Sequence, residues 1–162
     1  MPYEIPVTIE IPKNSKVKYE IDHETNALII DRILPCAYNY PHNYGYIDKT
    51  LAEDNDPIDV LVLNDQSFFP TSIISCQAIG VLLMEDNGEI DPKIIAVPTS
   101  KVDKRYNDIN EITDVSKHEL NIIQDFFENY KNNENKKVIC KGFKNKEIAE
   151  KLINEAYERY QI

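Results

Sequence analysis

The chain has 162 residues, 42% hydrophobic and 28% charged, the make-up of a folded domain with a core rather than of a disordered segment. Its 28 acidic against 18 basic side chains give a formal charge of -10, which disfavours nucleic acid and anionic membrane surfaces as partners. The odd, widely spaced Cys36, Cys76 and Cys140 exclude a disulfide framework and a zinc–thiolate site, and MPYEIPVTIEIPK shows no secretory signal, so a cytoplasmic location is expected.

The first two thirds read as strands. VTIEI alternates, with Val7, Ile9 and Ile11 on one face. VKYEI follows, with Lys18 and Glu20 on the polar face. ALIIDRIL sets Arg32 beside Leu28, Ile30 and Leu34, a costly place for a cation unless an anion accompanies it. YNYPHNYGYI crowds Tyr38, Tyr40, Tyr44 and Tyr46, most of which are expected to be ordinary core and turn packing. DVLVL, SIISCQAIGVLLM and KIIAV supply further strands, the longest apolar run being far below a membrane span, with a hairpin turn at Asn87-Gly88. The last third turns helical: Ser116 and Glu119 suggest a capping box before an apolar stripe of Leu120, Ile123, Phe126 or Phe127, and Tyr130. A second helix carries Ile148, Leu152, Ile153 and Ala156. With no repeat or linker, residues 1–162 are expected to form one α+β, mainly β domain, a small barrel or curved sheet with helices packed on it.

The chemistry gathers in EDNDPIDVLVL, residues 53–63. Asp54 and Asp56 are two apart; if the stretch is extended they project to one side with Cα atoms roughly 7 Å apart, a spacing that suits divalent cations. Asp59 opens an apolar strand, and Asn55 tolerates the positive φ of a tight turn. A lone D-x-D is usually a solvated turn. Here a second acidic group, EDNGEIDPK, repeats the Asp-Pro punctuation and ends in Lys93. The EF-hand pattern does not fit, and no P-loop, serine-hydrolase, Rossmann or zincin motif occurs. His23, His42 and His118 show no ligand spacing and are expected in surface or capping roles.

In order, IEIPKNSKVKYEID, ALIIDRIL, YPHNYGYI, Asp54-Asn55-Asp56-Pro57-Ile58-Asp59, IDPKIIAVPTSK and FFENYK resemble the bacterial-type soluble family I inorganic pyrophosphatases, whose signature is D-[SGDN]-D-[PE]-[LIVMF]-D. The resemblance runs from about residue 5 to about 145 and implies a five-stranded OB-like barrel with helices, including C-terminal ones. It implies hydrolysis of pyrophosphate to two phosphates with several Mg²⁺ ions, Mn²⁺ or Zn²⁺ being possible substitutes. Asp54, Asp59, Asp86, Asp91 and Glu20 are then the metal ligands, with Glu10 close by. Asp56 is the base for the attacking water. Lys18, Arg32, Tyr44, Lys93, Tyr130 and Lys131 grip the substrate, Tyr40 lies beside them, and Lys18, Arg32 and Tyr44 also count as catalytic. A homo-oligomer, a hexamer in the family, is implied as well. Asn55, His42 and Phe143 stand where glycine, cysteine and tryptophan are common, and none removes a named group. Two competitors are a non-catalytic divalent-metal module, which leaves the cations unexplained, and a hydrolase of nucleotides or longer polyphosphates.

Overall fold

The computed structural model describes residues 4–161. Its strands are β1 (Glu4–Ile11), β2 (Val17–Ile21), β3 (Leu28–Ile33), β4 (Asn43–Tyr46), β5 (Asp59–Val62), β6 (Ile73–Asp86), β7 (Glu89–Ile90), β8 (Lys93–Pro98) and β9 (Val138–Asn145). The helices α1 (Lys117–Asn129) and α2 (Lys146–Tyr160) complete the chain. Five strands follow one another in the order β1-β4-β5-β8-β6, and β6 returns to β1, so the sheet closes into a ring and loses its edges. The pairing of β5 with β8 is parallel and the other ring pairings are antiparallel.

The ring strands β4, β5 and β8 are buried on both faces, apart from Asp59 at the start of β5, whereas β1 leaves Glu4 and Pro6 exposed on one face. Residues of one parity, Leu61 on β5 with Ile95 and Val97 on β8, pack with Phe126 and Phe127 of α1. Their neighbours Val60, Val62, Ile94 and Ala96 join Val7 and Ile9 and meet Ala149, Ile153 and Ala156 of α2. Gly45 is fixed by closeness: a Cβ there would lie 2.0 Å from the carbonyl oxygen of Thr8 on the paired strand. The β6–β7 hairpin turns through Asn87 and Gly88, both at positive φ, as the sequence predicts for a two-residue loop.

The outline of strands followed by helices needs one correction. Strand β9 lies between α1 and α2 and pairs with β6. Its alternation is hidden by lysines and broken at Gly142, whose φ of 100° accompanies a register shift. Three further expectations change. The apolar neighbours of Arg32 on β3 are exposed, Ile30 by 60%, because β2 and β3 form a separate two-stranded sheet. Ile148 is exposed, the buried face of α2 being Ala149, Ile153 and Ala156. His42 is buried, with Nδ1 3.2 Å from the Asn64 carbonyl oxygen and Nε2 against the Glu119 carboxylate. That contact diverts Glu119 from a reciprocal capping box, leaving the Ser116 hydroxyl to accept the Glu119 N–H. Among the described residues no helix is long and apolar enough to cross a membrane, and the three cysteines are free.

Candidate active site

The acidic loop between β4 and β5 is wound by its own side chains. The Asp56 N–H donates to Asp54 Oδ1 at 3.0 Å, and Asn55 between them sits at φ 68°, the left-handed turn its short polar side chain allows. Ala52 N–H donates to the Asp56 carbonyl at 2.7 Å, and Ile58 N–H to the Thr50 hydroxyl at 3.1 Å. Ile58 is buried beside the turn, so burial of one residue fixes the aim of its acidic neighbours.

The β5–β8 register sets Asp59 beside Lys93. The Lys93 ammonium donates to Asp59 Oδ2 at 2.8 Å, lies 3.0 Å from Asp91 Oδ2 and donates to the Tyr44 hydroxyl at 2.7 Å. Burial opposes its charge, but Asp59, Tyr44 and Asp91 together hold it protonated, well above the ordinary lysine range. Asp59 is itself pushed up, by burial and by Asp91, more than Lys93 pulls it down. The C-terminal end of α1 supplies the opposite wall: Tyr130 stacks on Phe126 at 4.7 Å between ring centres, and Lys131 meets the Asp86 carboxylate. Tyr40 and Tyr44 lie in the same aromatic cluster, so the structure bears out core packing for Tyr40 and gives Tyr44 a second task at its hydroxyl.

These groups surround one cavity of about 300 Å³. From the predicted set it gathers Asp54, Asp56, Asp59, Asp86, Asp91 and Glu20, and with them Lys18, Lys93, Lys131, Tyr44 and Tyr130. Arg32 is the predicted residue that does not line it. It lies directly across the β2–β3 pairing from Lys18, which does line the cavity, and its charge is met by Asp31 and Glu134 rather than left for a substrate alone. Sequence reasoning passed over His23, whose ring meets Tyr46 edge-on at 5.0 Å, and Glu89; both line the cavity, and neither carries a local spacing signal.

Eight carboxylate side chains against three lysines leave the cavity strongly negative. Burial and the neighbouring acids push the carboxyls of Asp54 and Asp56 above the usual carboxylate range. Such a set of hard oxygen donors fits a divalent cation. Among the described residues no three His, Cys, Asp or Glu side chains converge to hold an ion unaided. Mg²⁺ does not require that, since it keeps several waters and takes one or two carboxylates together with substrate phosphates.

Glu10, on β1, accepts the Ile21 N–H at 2.9 Å, and burial pushes its carboxyl up to about 7. A carboxyl raised in the fold stabilises it fully below the unfolded value and loses that contribution as pH rises through the folded one. The metal-stripped chain is therefore expected to lose at most ~3 kcal/mol through Glu10 as pH rises from 4.5 past about 7. Melting curves in EDTA across that range measure it. Glu10→Gln should flatten the slope, and an unchanged slope in the variant contradicts the assignment.

The family profile described as inorganic pyrophosphatase matches residues 7–161. An inorganic pyrophosphatase of Helicobacter pylori is 48% identical over 156 residues, covering 96% of this chain and 90% of that one. One of Campylobacter jejuni is 44% identical over 162 residues, 99% of this chain and 94% of that one. Among solved structures, the Helicobacter pylori enzyme superposes with a TM-score of 0.96 at 47% identity, covering 98% of this chain and 94% of that one. The Thermus thermophilus enzyme gives 0.94 at 37% identity, covering 99% and 93%. These are the folds of a mainly β α+β protein with a five-strand ring and a C-terminal helix, as described above. The chain belongs to the inorganic pyrophosphatase family. Its activity is hydrolysis of inorganic pyrophosphate, and membership makes it a Mg²⁺-dependent hydrolase.

Proposed function

We propose that the acidic cavity between the β5–β8 edge and the end of α1 is where pyrophosphate is split, and that residues 1–162 act as one catalytic domain. The observation that carries this is the meeting of eight carboxylates and three lysines around one cavity, a charge pattern that suits cations and a polyanion together and neither alone. Asp54, Asp59 and Asp91 hold the tightest Mg²⁺, Asp91 with Asp86 one that accompanies the substrate, and Glu20 a further one. Bound Mg²⁺ would supply Lewis-acid polarisation of the phosphoryl oxygens and lower the pKa of a bound water towards neutrality. Mn²⁺ or Zn²⁺ can stand in for it.

Asp56 is exposed to the cavity, and its raised proton affinity suits a base that takes the proton of the attacking water. Lys18, Lys93 and Lys131 meet the charge on the phosphoryl oxygens, and the hydroxyls of Tyr44 and Tyr130 donate to the same oxygens. Burial holds both phenols firmly protonated, as donors must be. Arg32 completes the grip from β3. The products are two phosphates, the protein works in the cytoplasm as a homo-oligomer, a hexamer by resemblance, and its negative charge keeps nucleic acid and membranes off.

Initial rates of phosphate release from pyrophosphate, tripolyphosphate and ATP in Mg²⁺ test this reading. Pyrophosphate should lead by roughly 100-fold or more. Comparable rates on ATP would replace the reading with that of a nucleotide hydrolase.

A further inference from the structure

The β2–β3 hairpin is a sheet of its own outside the ring, yet it carries Lys18 and Arg32, two arms of the proposed grip. Something must fix it to the wall that carries Lys131. Beyond Lys131 the chain makes a 3₁₀ turn, Asn132–Glu134, closed by the Glu134 N–H donating to the Lys131 carbonyl at 2.9 Å and followed by Asn135 in the left-handed region at φ 56°. From this turn two side chains reach β3 and its end. The Asn133 amide donates to the Pro35 carbonyl at 2.6 Å. Glu134 grips the guanidinium: Oε1 lies 2.6 Å from Arg32 Nε, and Oε2 accepts from Nη2 at 3.3 Å.

The guanidinium has a second carboxylate, Asp31, but that one is its chain neighbour and can tie it to nothing else. Glu134 is 102 positions away in sequence, so it alone of the pair couples the hairpin to the end of α1. Its side chain is 14% exposed and Arg32's is 27%, so water screens the contact only in part. The Nε atom is buried and has no aligned hydrogen bond among the described residues, which leaves the charge of Glu134 as its holder. Nη1 and Nη2 keep N–H groups beyond those contacts for a phosphate oxygen.

We infer that Glu134 is a positioning residue for the reaction: it aims Arg32 at the cavity and ties the hairpin's grip to that of Lys131. The inference rests on the reading of Arg32 as a pyrophosphate ligand. A fork held at one edge meets a phosphate with its freedom already restricted, so loss of the hold weakens substrate binding more than the chemical step.

The test is steady-state kinetics in saturating Mg²⁺ on wild type, Arg32→Ala, Glu134→Gln and the double variant, each with a melting curve. Glu134→Gln should raise KM for pyrophosphate roughly tenfold and leave kcat within about threefold. In the Arg32→Ala background it should add nothing, since the group it positions is gone. Glu134→Asp keeps the charge on a shorter arm and should shift KM by about threefold in the same direction, which gives the readout if Gln disturbs folding. A wild-type KM in Glu134→Gln, or an effect that survives undiminished without Arg32, overturns the inference. A wild-type KM in Arg32→Ala overturns instead the reading of Arg32 on which it rests.

Discussion

Replacing Lys93 by methionine is expected to lower kcat for pyrophosphate by roughly 10²–10³-fold. The side chain is 4% exposed, and its ammonium is the shared partner of Asp59, Asp91 and the Tyr44 hydroxyl. Methionine keeps the length and apolar stem and removes only the charge. Two carboxylates then face each other without a cation, and the Tyr44 hydroxyl loses its donor. Breaking a fully buried pair costs roughly 3–5 kcal/mol. Asp59 and Asp91 are 27% and 17% exposed to the cavity, so about 2 kcal/mol is expected here. The distinguishing sign is the response to metal. In EDTA the variant should melt well below wild type, and Mg²⁺ should recover more of the difference than it adds to wild type, because the cation meets the same carboxylates. Wild-type stability in EDTA would contradict this account of Lys93.

Asp56→Asn is expected to lower kcat by roughly 10²–10⁴-fold, the usual worth of a general base. The substitution isolates proton transfer. Asparagine keeps the shape, and the backbone N–H of residue 56 still donates to Asp54 Oδ1, so the turn survives. Among the described residues Asp56 forms no salt bridge, and it is exposed to the cavity, so stability should stay within about 0.5 kcal/mol of wild type. Its proton affinity is raised by partial burial first, then by Asp59 and Glu20, which makes it a better base than a free aspartate.

Local features of the acidic cavity were legible in the sequence where long-range contacts of the fold were not. Asp54, Asp56 and Asp59 could be read as one acidic turn because a turn and a strand entry are local, and Asn55 adopted the predicted positive φ. The α1 stripe was equally legible, since Ile123, Phe126, Phe127 and Tyr130 repeat with helical spacing. Ring closure was not, because the register that joins β6 back to β1 is set by contacts some 70 residues apart. Strand β9 failed for the same reason: its lysines mask the alternation, and its partner lies far up the chain. Arg32 stands out in the sequence for its apolar neighbours, but the hairpin leaves Leu28 and Ile30 in water and only Leu34, just beyond β3, joins the core. Its true constraint, Glu134, has no sequence signal at a separation of 102 residues. His42 likewise gains its partners Glu119 and Asn64 only through the fold.

The central claim is that Mg²⁺-dependent splitting of pyrophosphate occurs in this cavity with Asp56 as the base. Phosphate release from pyrophosphate should be measured for wild type and Asp56→Asn, each in EDTA and then in excess Mg²⁺, after confirming equal melting temperatures. The account predicts release by wild type only when Mg²⁺ is returned, with the variant slower by at least about 100-fold at saturating substrate. Undiminished release by the metal-loaded variant would take the base away from Asp56, and no release by the folded, Mg²⁺-loaded wild type would contradict the account altogether.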